Sequence, residues 1–517
     1  MPEQTSRRAK VALATLVAGY VAMAVVAGAP NSPLTVLLPN GATTPTWARF
    51  LANAADLADV GRRGLTAVAW VLLVAVLAAF AVVVLEAWSK RIRLGALLTA
   101  VACSLLAAVA APLFLSRDVY TYAAYGRIQA LYGGNPYLTT LSAFPHDRFV
   151  AVTSVQWLHT SSHYGPVFTL ASAGLARAWA GSVDGTILAF KILAGVSIAI
   201  ATGLAALAAR KIRPERAALA AALVGLNPVV VLHTVGGGGH VDALIAAPLA
   251  AACALVATRP PGRSSRAFAI TMLITLACLV KTVMLPVLLL WFAWLARPRG
   301  ARTLALHLLV IAALIVAAAG AFFSASHPLA PFASFGGVES WASPLHFVAR
   351  VAQTFAASVA GTHAGHDARV VAEAAFLLLF AVLLWRLVRR VREADARAPI
   401  EEWGIALLLL ALSLPYLLPW YAEWFVPFLA FFDDAVLTFA GVFACIVLAF
   451  TLVPADPFHG LTTPGVMDGV HYGVAPLLLL VLVVIAARLR PPACGGAERH
   501  RRAVRVLAAL FASGSRG

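Results

Sequence analysis

Long apolar runs recur along the whole chain of 517 residues, and short polar or basic segments separate them. Runs such as 65–85 and 435–453 have about 18 or more residues, enough for a helix to cross about 30 Å of hydrocarbon. Membrane barrels instead need strands in which apolar and polar residues alternate, and these continuous runs contradict that pattern. The sequence therefore predicts an all-α polytopic membrane protein with roughly 12 to 14 transmembrane helices.

Some apolar stretches depart from a simple crossing. The motif KTVMLP at 281–286 interrupts one run and three prolines interrupt another at 414–427, so each is predicted to be a hairpin in the outer half of the membrane. Residues 167–180 are moderately apolar and are predicted to be re-entrant or interfacial. The first run, 11–29, follows three basic residues as a signal peptide would, but we interpret it as a retained helix.

The formal charge is +17, and the positions of the basic residues along the chain are more informative than the total. Seven short clusters between the apolar runs hold 28 of the 39 lysines and arginines, and the positive-inside rule places these clusters in the cytoplasm. Both termini are then cytoplasmic, and the charge favours a membrane partner over a nucleic acid. Four of the five cysteines lie in apolar runs, so neither a disulfide nor a cysteine metal site is predicted.

This topology leaves three long outer loops, at about 30–63, 116–184 and 326–369. Residues 1–490 are predicted to form a single polytopic membrane domain, and 491–517 a basic cytoplasmic tail. The tail has the pattern of an amphipathic helix on the inner leaflet and equally of a solvated tail.

The second outer loop opens with the motif SRDVYTYAAYGRI at 116–128. On a helix, Asp118, Tyr122 and Tyr125 share one face, so a carboxylate would stand among hydroxyl and aromatic groups at the outer edge of the membrane. An interfacial belt of tyrosines with Arg117 and Asp118 at a helix end would give the same pattern.

Three further stretches carry candidate chemistry. The Gly-rich stretch 227–244 lacks the Lys and Ser or Thr of a P-loop, so we expect unwound backbone whose amides face an anion, with His240 and Asp242 either in the site or capping the next helix. Lys281, in an apolar run, needs a partner such as a phosphate or must snorkel to the interface. Trp420 and Tyr421 offer flat rings for a sugar or for anchoring at the interface.

The motifs DVYTYAAYGRIQALYGGNPY and YGPVF resemble the first large outer loop of GT-C membrane glycosyltransferases, and most closely the actinobacterial α-(1→6)-mannosyltransferases that use polyprenol-phosphate mannose. This resemblance implies that Asp118 is the catalytic base and that Lys281 meets the donor phosphate. From the residues themselves we expect His240 and Arg117 at the same phosphate, with stacking on a neighbouring tyrosine as the alternative for Arg117. We also expect Tyr122, Tyr125, Asp242, Trp420 and Tyr421 to line the sugar or lipid groove, and for Trp420 and Tyr421 the resemblance implies the same. Val241 departs from the family, where a polar residue is common, which weakens inference about the acceptor.

The expected function is transfer of a sugar, implied to be mannose, from a polyprenyl-phosphate donor to a glycan or glycolipid acceptor at the outer face of the plasma membrane. A carboxylate that takes the acceptor proton suffices for such a reaction, and one base with in-line displacement implies inversion. No cofactor and no metal is expected, because the lipid-linked sugar is a co-substrate. A transporter or flippase of lipid-linked saccharides would share the broken helices, the intramembrane charge and the aromatic groove, and a non-catalytic scaffold is the third alternative.

Overall fold

The computed structural model describes residues 4–35, 50–51, 53–57, 59–113, 115–258, 265–296, 301–332, 340–393, 398–451 and 468–489. Helices form nearly all the regular structure in these ranges, and no β-strand occurs in them. The predicted all-α class is confirmed. Residues 36–49, 52 and 58 of the first outer loop and the whole of the tail 491–517 lie outside the described residues, so the interpretations of these segments stay predictions.

We number the helices that have nine or more residues. They are α1 (Arg7–Gly28), α2 (Arg62–Trp88), α3 (Leu94–Ala110), α4 (Asp118–Tyr132), α5 (Pro166–Ala178), α6 (Val183–Ile212), α7 (Ala217–Gly225), α8 (Ala243–Thr258), α9 (Ser265–Val280), α10 (Leu285–Leu295), α11 (Ala301–Ala319), α12 (Pro344–Ala360), α13 (Thr362–Glu393), α14 (Ile400–Ser413), α15 (Ala435–Leu448) and α16 (Ala475–Arg488). Shorter elements include π-helical Val229–Gly236, 3₁₀ turns at Thr282–Met284, Pro419–Trp424 and Val426–Phe431, and a one-turn helix at Val155–Leu158.

Seven helical segments in the described ranges are long and apolar enough to cross a membrane, and five further apolar helices have 10–17 residues. The long ones are Arg7–Gly28, Arg62–Trp88, Val183–Ile212, Pro214–Gly236, Arg302–Phe322, Thr362–Glu393 and Val470–Arg488. Length alone does not decide which of the shorter ones cross, so the total of 12 to 14 stays a prediction. Helix α5, with 13 residues, belongs to neither group of apolar helices, in keeping with a re-entrant or interfacial segment.

Segment Pro214–Gly236 lies at the centre of the bundle, because 94% of its most apolar window is buried. Its first half, α7, has the sequence AALAAALVG, whose small side chains let neighbouring helices approach closely. A Cβ on Gly225 would meet Val101 of α3 at 2.6 Å, which shows how near that helix comes. The small residues of α7 therefore let the neighbouring helices pack closely at the centre of the bundle.

The basic clusters meet at one end of the bundle. The amide of Ser6 donates to the carbonyl of Arg91 (3.0 Å), which places the start of α1 beside the turn after α2. At the same end, the guanidinium of Arg216 lies 4.7 Å from the ring centre of Trp88, the last residue of α2.

Ion pairs and a hydrogen bond connect further basic clusters at the same end of the bundle. Arg213 forms an ion pair with Asp433, and the Asp433 amide donates to the carboxylate of Glu401 (3.2 Å). Glu401 also pairs with Arg390 at the end of α13 (3.3 Å). The guanidinium of Arg488 lies 3.1 Å from Asp434. Five of the seven predicted cytoplasmic clusters thus share one end of the bundle, while the side of the membrane that this end faces stays a prediction.

Candidate functional site

Asp118 begins α4 at the end of the bundle opposite to the basic clusters. Helix α3 starts just after Arg93 and leads away from them, and buried Lys191 of α6 donates to the carbonyls of Ala111 and Pro112 beyond it. The amide of Asp118 donates to the hydroxyl of Ser116 (3.2 Å), and its side chain keeps 23% of its surface exposed. A carboxylate at the first residue of a helix is stabilised by the helix dipole, and this one is open to solvent or substrate.

Burial and the nearby Asp242 raise the pKa of Asp118 from 3.8 to about 7, while Lys281 and the Ser116 hydroxyl act in the lowering direction; burial is the largest cause. A carboxyl with a pKa close to neutral pH is suited to exchange a proton with an alcohol during a reaction. The influence of Lys281 also shows that its ammonium lies within electrostatic range of Asp118.

A Gly-rich turn presents His240 to Asp118. The π-helix ends at Gly236, and Gly238 (φ 116°) and Gly239 (φ 71°) then adopt left-handed backbone that disfavours other residues. A Cβ on Gly239 would also meet the carbonyl of Phe190 at 2.4 Å. The expected unwinding of this stretch is confirmed, and both glycines are required for its path.

The ring of His240 is fully buried, with contacts at its Nδ1 edge and on one face. Its Nδ1 lies 2.9 Å from the hydroxyl of Tyr122 and 3.8 Å from the Asp118 carboxylate. Its face stacks on Trp420 with 3.6 Å between ring centres. Burial and the charge of Lys281 lower the pKa of His240 well below its ordinary value, so the neutral imidazole is favoured.

Two residues after His240, Asp242 holds the cation of the site. Its Oδ1 accepts hydrogen bonds from the ammonium of Lys281 (2.9 Å) and from the indole Nε1 of Trp424 (2.6 Å). The same ammonium lies 4.2 Å from the ring centre of Tyr421 and 5.1 Å from that of Trp424, a cation–π arrangement on two stacked rings. Asp242 has no exposed surface, whereas the Lys281 side chain is 12% exposed. Buried groups thus hold the Lys281 ammonium on one side, and its other side stays accessible.

The motif YGPVF of the second outer loop fixes the backbone at Lys281. The amide of Gly165 donates to the carbonyl of Val280, the last residue of α9 (2.9 Å). A Cβ at Gly165 would lie 2.0 Å from the carbonyl of Leu279, so only glycine fits between the two segments. Lys281 then leaves the helix with extended backbone (φ −155°, ψ 120°).

The structure brings together seven of the nine side chains that the sequence singled out: Asp118, Tyr122, His240, Asp242, Lys281, Trp420 and Tyr421. Of the nine, only Asp118 and Lys281 exceed a tenth of exposed surface, so the other side chains shape the site rather than face an open groove.

The two remaining residues lie beside the site. The hydroxyl of Tyr125 donates to the carbonyls of Thr160 and Ser161. Arg117 is buried, and its charge acts on Tyr120. Nothing in this geometry places the guanidinium at a phosphate, and its assigned role stays a prediction.

Two neighbours of the site, Tyr164 and Ser340, were not predicted from the sequence. Tyr164 packs edge-on against Tyr122 (5.2 Å between ring centres), and burial, followed by the Asp118 carboxylate, raises the pKa of Tyr164. Ser340 of the third outer loop both donates to the carbonyl of Leu417 (2.7 Å) and accepts from its amide (2.8 Å), which fixes the segment leading to Trp420. The motif YGPVF could have indicated Tyr164, whereas a serine in a loop gives no such signal.

In the ranges that the structure describes, no group of three or more His, Cys, Asp or Glu could hold a metal ion. His363 and His366, whose spacing resembles a metal motif, are exposed near the start of α13. The site offers instead one cation, one accessible carboxyl group and aromatic walls.

Comparison with known proteins gives two matches. A family model described as "Alpha-(1->6)-mannopyranosyltransferase, N-terminal domain" matches residues 16–298. A curated relative, Alpha-(1->6)-mannopyranosyltransferase B of Corynebacterium glutamicum, is 25% identical over 404 residues, which cover 72% of this chain and 64% of the relative. The chain therefore spans less than two thirds of the length of that relative. No solved structure matches the chain.

Proposed function

Because the chain belongs to the alpha-(1->6)-mannopyranosyltransferase family, whose model covers more than half of it, we propose that it is a membrane-embedded mannosyltransferase. It takes mannose from a polyprenyl-phosphate donor and passes it to a glycan or glycolipid acceptor at the outer face of the plasma membrane. The expected partners are the lipid-linked sugar, the acceptor glycan and membrane lipids.

The observation that carries this proposal is the pairing of one accessible carboxyl group with one accessible ammonium in the same buried setting. Asp118 takes the proton of the acceptor hydroxyl as its oxygen attacks the anomeric carbon. Lys281 faces the phosphate and offsets the negative charge that grows on its leaving oxygen. His240, with Tyr122 on one edge and Trp420 on its face, positions the Asp118 carboxylate.

The carboxylate arrangement supports inversion. A retaining mechanism needs a second carboxylate as nucleophile about 5 Å from the first. Asp242, the carboxylate that acts electrostatically on Asp118, is fully buried and engaged by Lys281 and Trp424. Direct attack by the acceptor hydroxyl, with Asp118 as base, turns a β-linked donor into an α-linked product.

Apolar surface beside Lys281 supports a lipid-linked donor. Leu285 and Leu289 of α10 follow the lysine and expose 54% and 48% of their surface. An isoprenoid tail on this surface would bring its phosphate to the ammonium at the start of the same segment. The basic clusters gather at the far end of the bundle, which supports an outer position for Asp118.

Replacing Asp118 by Asn tests the proposal, because it keeps the size of the side chain and removes the base. We expect sugar transfer from a radiolabelled polyprenyl-phosphate mannose to fall on the order of 10²- to 10⁴-fold while donor binding is retained. Asp367→Asn, an exposed carboxylate in α13, is the control that should transfer normally.

If the Asn variant transfers sugar at the normal rate, Asp118 is not the base. If the purified wild-type protein moves the lipid across vesicles and forms no glycosidic bond, the protein is a transporter. Product analysis of the same reaction identifies the sugar, the acceptor and the anomeric configuration.

A further inference from the structure

Burying the Asp242 carboxylate costs more free energy than a neutral hydrogen-bond acceptor in its place would. Its carboxylate has no exposed surface, and Oδ1 binds both the Lys281 ammonium and the Trp424 indole. Its second oxygen, Oδ2, is buried without a hydrogen-bond partner in the described part of the chain. A buried, half-satisfied carboxylate is expensive, so its negative charge needs an explanation.

The charge of Asp242 lies close to the place where a phosphate would bind. A phosphate oxygen that bonds to the open side of the same ammonium would lie about 4–6 Å from Oδ1, given hydrogen bonds of ordinary length. Because Asp242 is buried, water screens its charge weakly, and a neighbouring anion feels it strongly. Each extra negative charge on the phosphate group is therefore penalised.

The reaction under Proposed function, on which this inference rests, increases that charge. The acceptor oxygen forms a bond to the anomeric carbon, the bond from that carbon to the phosphate oxygen breaks with its electron pair, and the acceptor proton goes to Asp118. The donor is a phosphodiester with one negative charge. The product is a phosphomonoester, which carries between one and two negative charges near neutral pH.

We propose that Asp242 is a positioning residue that holds Lys281 toward the donor phosphate and sets the charge of the site, so that the monoanionic donor is retained and the more highly charged polyprenyl phosphate is released. The carboxylate tolerates one negative charge on the far side of the ammonium and disfavours a second. The two stacked rings of Tyr421 and Trp424 keep the ammonium from following the product.

Asp242→Asn in the full-length protein tests this. The amide keeps an oxygen acceptor and removes the charge, so we expect product inhibition by polyprenyl phosphate to become on the order of tenfold tighter or more. The KM for the donor should stay equal or fall, and kcat should fall because product release slows. Direct binding of polyprenyl phosphate to the purified protein should tighten in parallel.

Three companion variants keep the test decisive. Asp242→Glu restores the charge and should restore weak product binding, while Trp424→Phe removes the indole donor, leaves the charge and should keep product binding weak. Asp242→Asn with Lys281→Gln removes both charges of the pair, so product binding should return toward the wild-type value even if the single variant folds poorly. Asp367→Asn controls for loss of a distant exposed charge.

Unchanged product affinity in Asp242→Asn with a higher donor KM would overturn the proposal and leave Asp242 as a purely structural or sugar-binding group. Failure of the proposed function looks different, because the wild-type protein would then form no glycosidic bond. In that case the binding measurements with polyprenyl phosphate still decide whether Asp242 selects against the extra charge.

Discussion

At the scale of single residues, the site depends on two ionisable groups that affect each other. Asp118 must lose its proton to act as a base, and burial works against that loss. Lys281 favours the loss through its positive charge, while Asp242 opposes it. The same ion pair that fixes the lysine therefore also adjusts the carboxyl group that we propose as the base.

The pH dependence of the reaction should show this coupling. Because the raised pKa of Asp118 is about 7, kcat/KM for the donor should fall as the pH drops through that value, since the protonated carboxyl cannot accept a proton. Lys281→Gln removes a lowering influence and should move this acidic limb to higher pH, and Asp242→Asn should move it to lower pH. Rate profiles of the three proteins, with folding monitored by intrinsic fluorescence, measure the shifts.

If the acidic limb of the pH–rate profile lies at the same pH in the wild type, Lys281→Gln and Asp242→Asn, the titrating group is not Asp118. Asp118→Asn provides the reference, because its residual activity should lack this limb.

At the scale of elements, the second outer loop, 116–184, folds into packed helices and is more than an irregular connection between crossings. Helices α4 and α5 pack so closely that a Cβ on Gly126 would lie 2.3 Å from the carbonyl of Ser172. The patterns of the sequence predicted α4 and the apolar character of α5. They could not predict the docking of Gly165 on α9 or the left-handed backbone of Leu115 (φ 69°) before Asp118, because both depend on contacts between distant segments.

Gly165→Ala tests the docking of the loop on α9. The added Cβ must displace the Leu279 carbonyl, at an expected cost of about 1–3 kcal/mol in the free energy of unfolding, and it moves the backbone next to Lys281. We expect donor affinity to fall several-fold together with the melting temperature. Gly174→Ala on α5 meets nothing within 4 Å and should leave both unchanged or slightly improved.

Normal donor affinity in Gly165→Ala would show that the backbone at Lys281 does not depend on this loop.

The buried ion pair of Arg127 and Asp147 fixes the outer part of the same loop. Asp147 accepts from the Arg127 guanidinium (2.8 Å), from the Tyr132 hydroxyl (2.6 Å) and from the Phe149 amide (2.8 Å). Asp147→Leu leaves the buried guanidinium without its carboxylate and should lower the free energy of unfolding by about 3–5 kcal/mol. Thermal unfolding in detergent measures this, with exposed His146→Gln as the neighbouring control.

An unchanged melting temperature for Asp147→Leu would show that the loop is held by other contacts.

At the scale of the whole molecule, the placement of charge organises the bundle. The hydrophobic pattern predicted the fold class, and the basic clusters predicted which loops lie together; five of those clusters do lie together. The number of crossings did not follow, because helices of 10–17 residues can cross, turn back or lie at an interface. The site did not follow completely either, because contacts between its four segments, such as the hydrogen bond from the Trp424 indole to Asp242, arise only in the folded chain.

The predicted orientation is open to a direct test. In a variant without native cysteines, Ser142→Cys in the second outer loop should react with a membrane-impermeant thiol reagent added to intact cells, since residue 142 is exposed. Lys211→Cys, exposed in a basic cluster, should react only after the membrane is permeabilised. The opposite labelling pattern would invert the topology and place Asp118 on the cytoplasmic side.

The spacing of the site along the chain also bears on how the protein is made. Tyr122 and His240 are 118 positions apart, and Asp242 and Trp424 are 182 apart, yet each pair is hydrogen-bonded in the finished protein. A ribosome that has not yet delivered the segment Pro419–Trp424 to the membrane has supplied Asp118, Asp242 and Lys281 without the indole and phenol rings that hold the lysine and its carboxylate. Stalled or prematurely released chains therefore lack the assembled centre, and lipid-linked sugars meet it only on completed molecules.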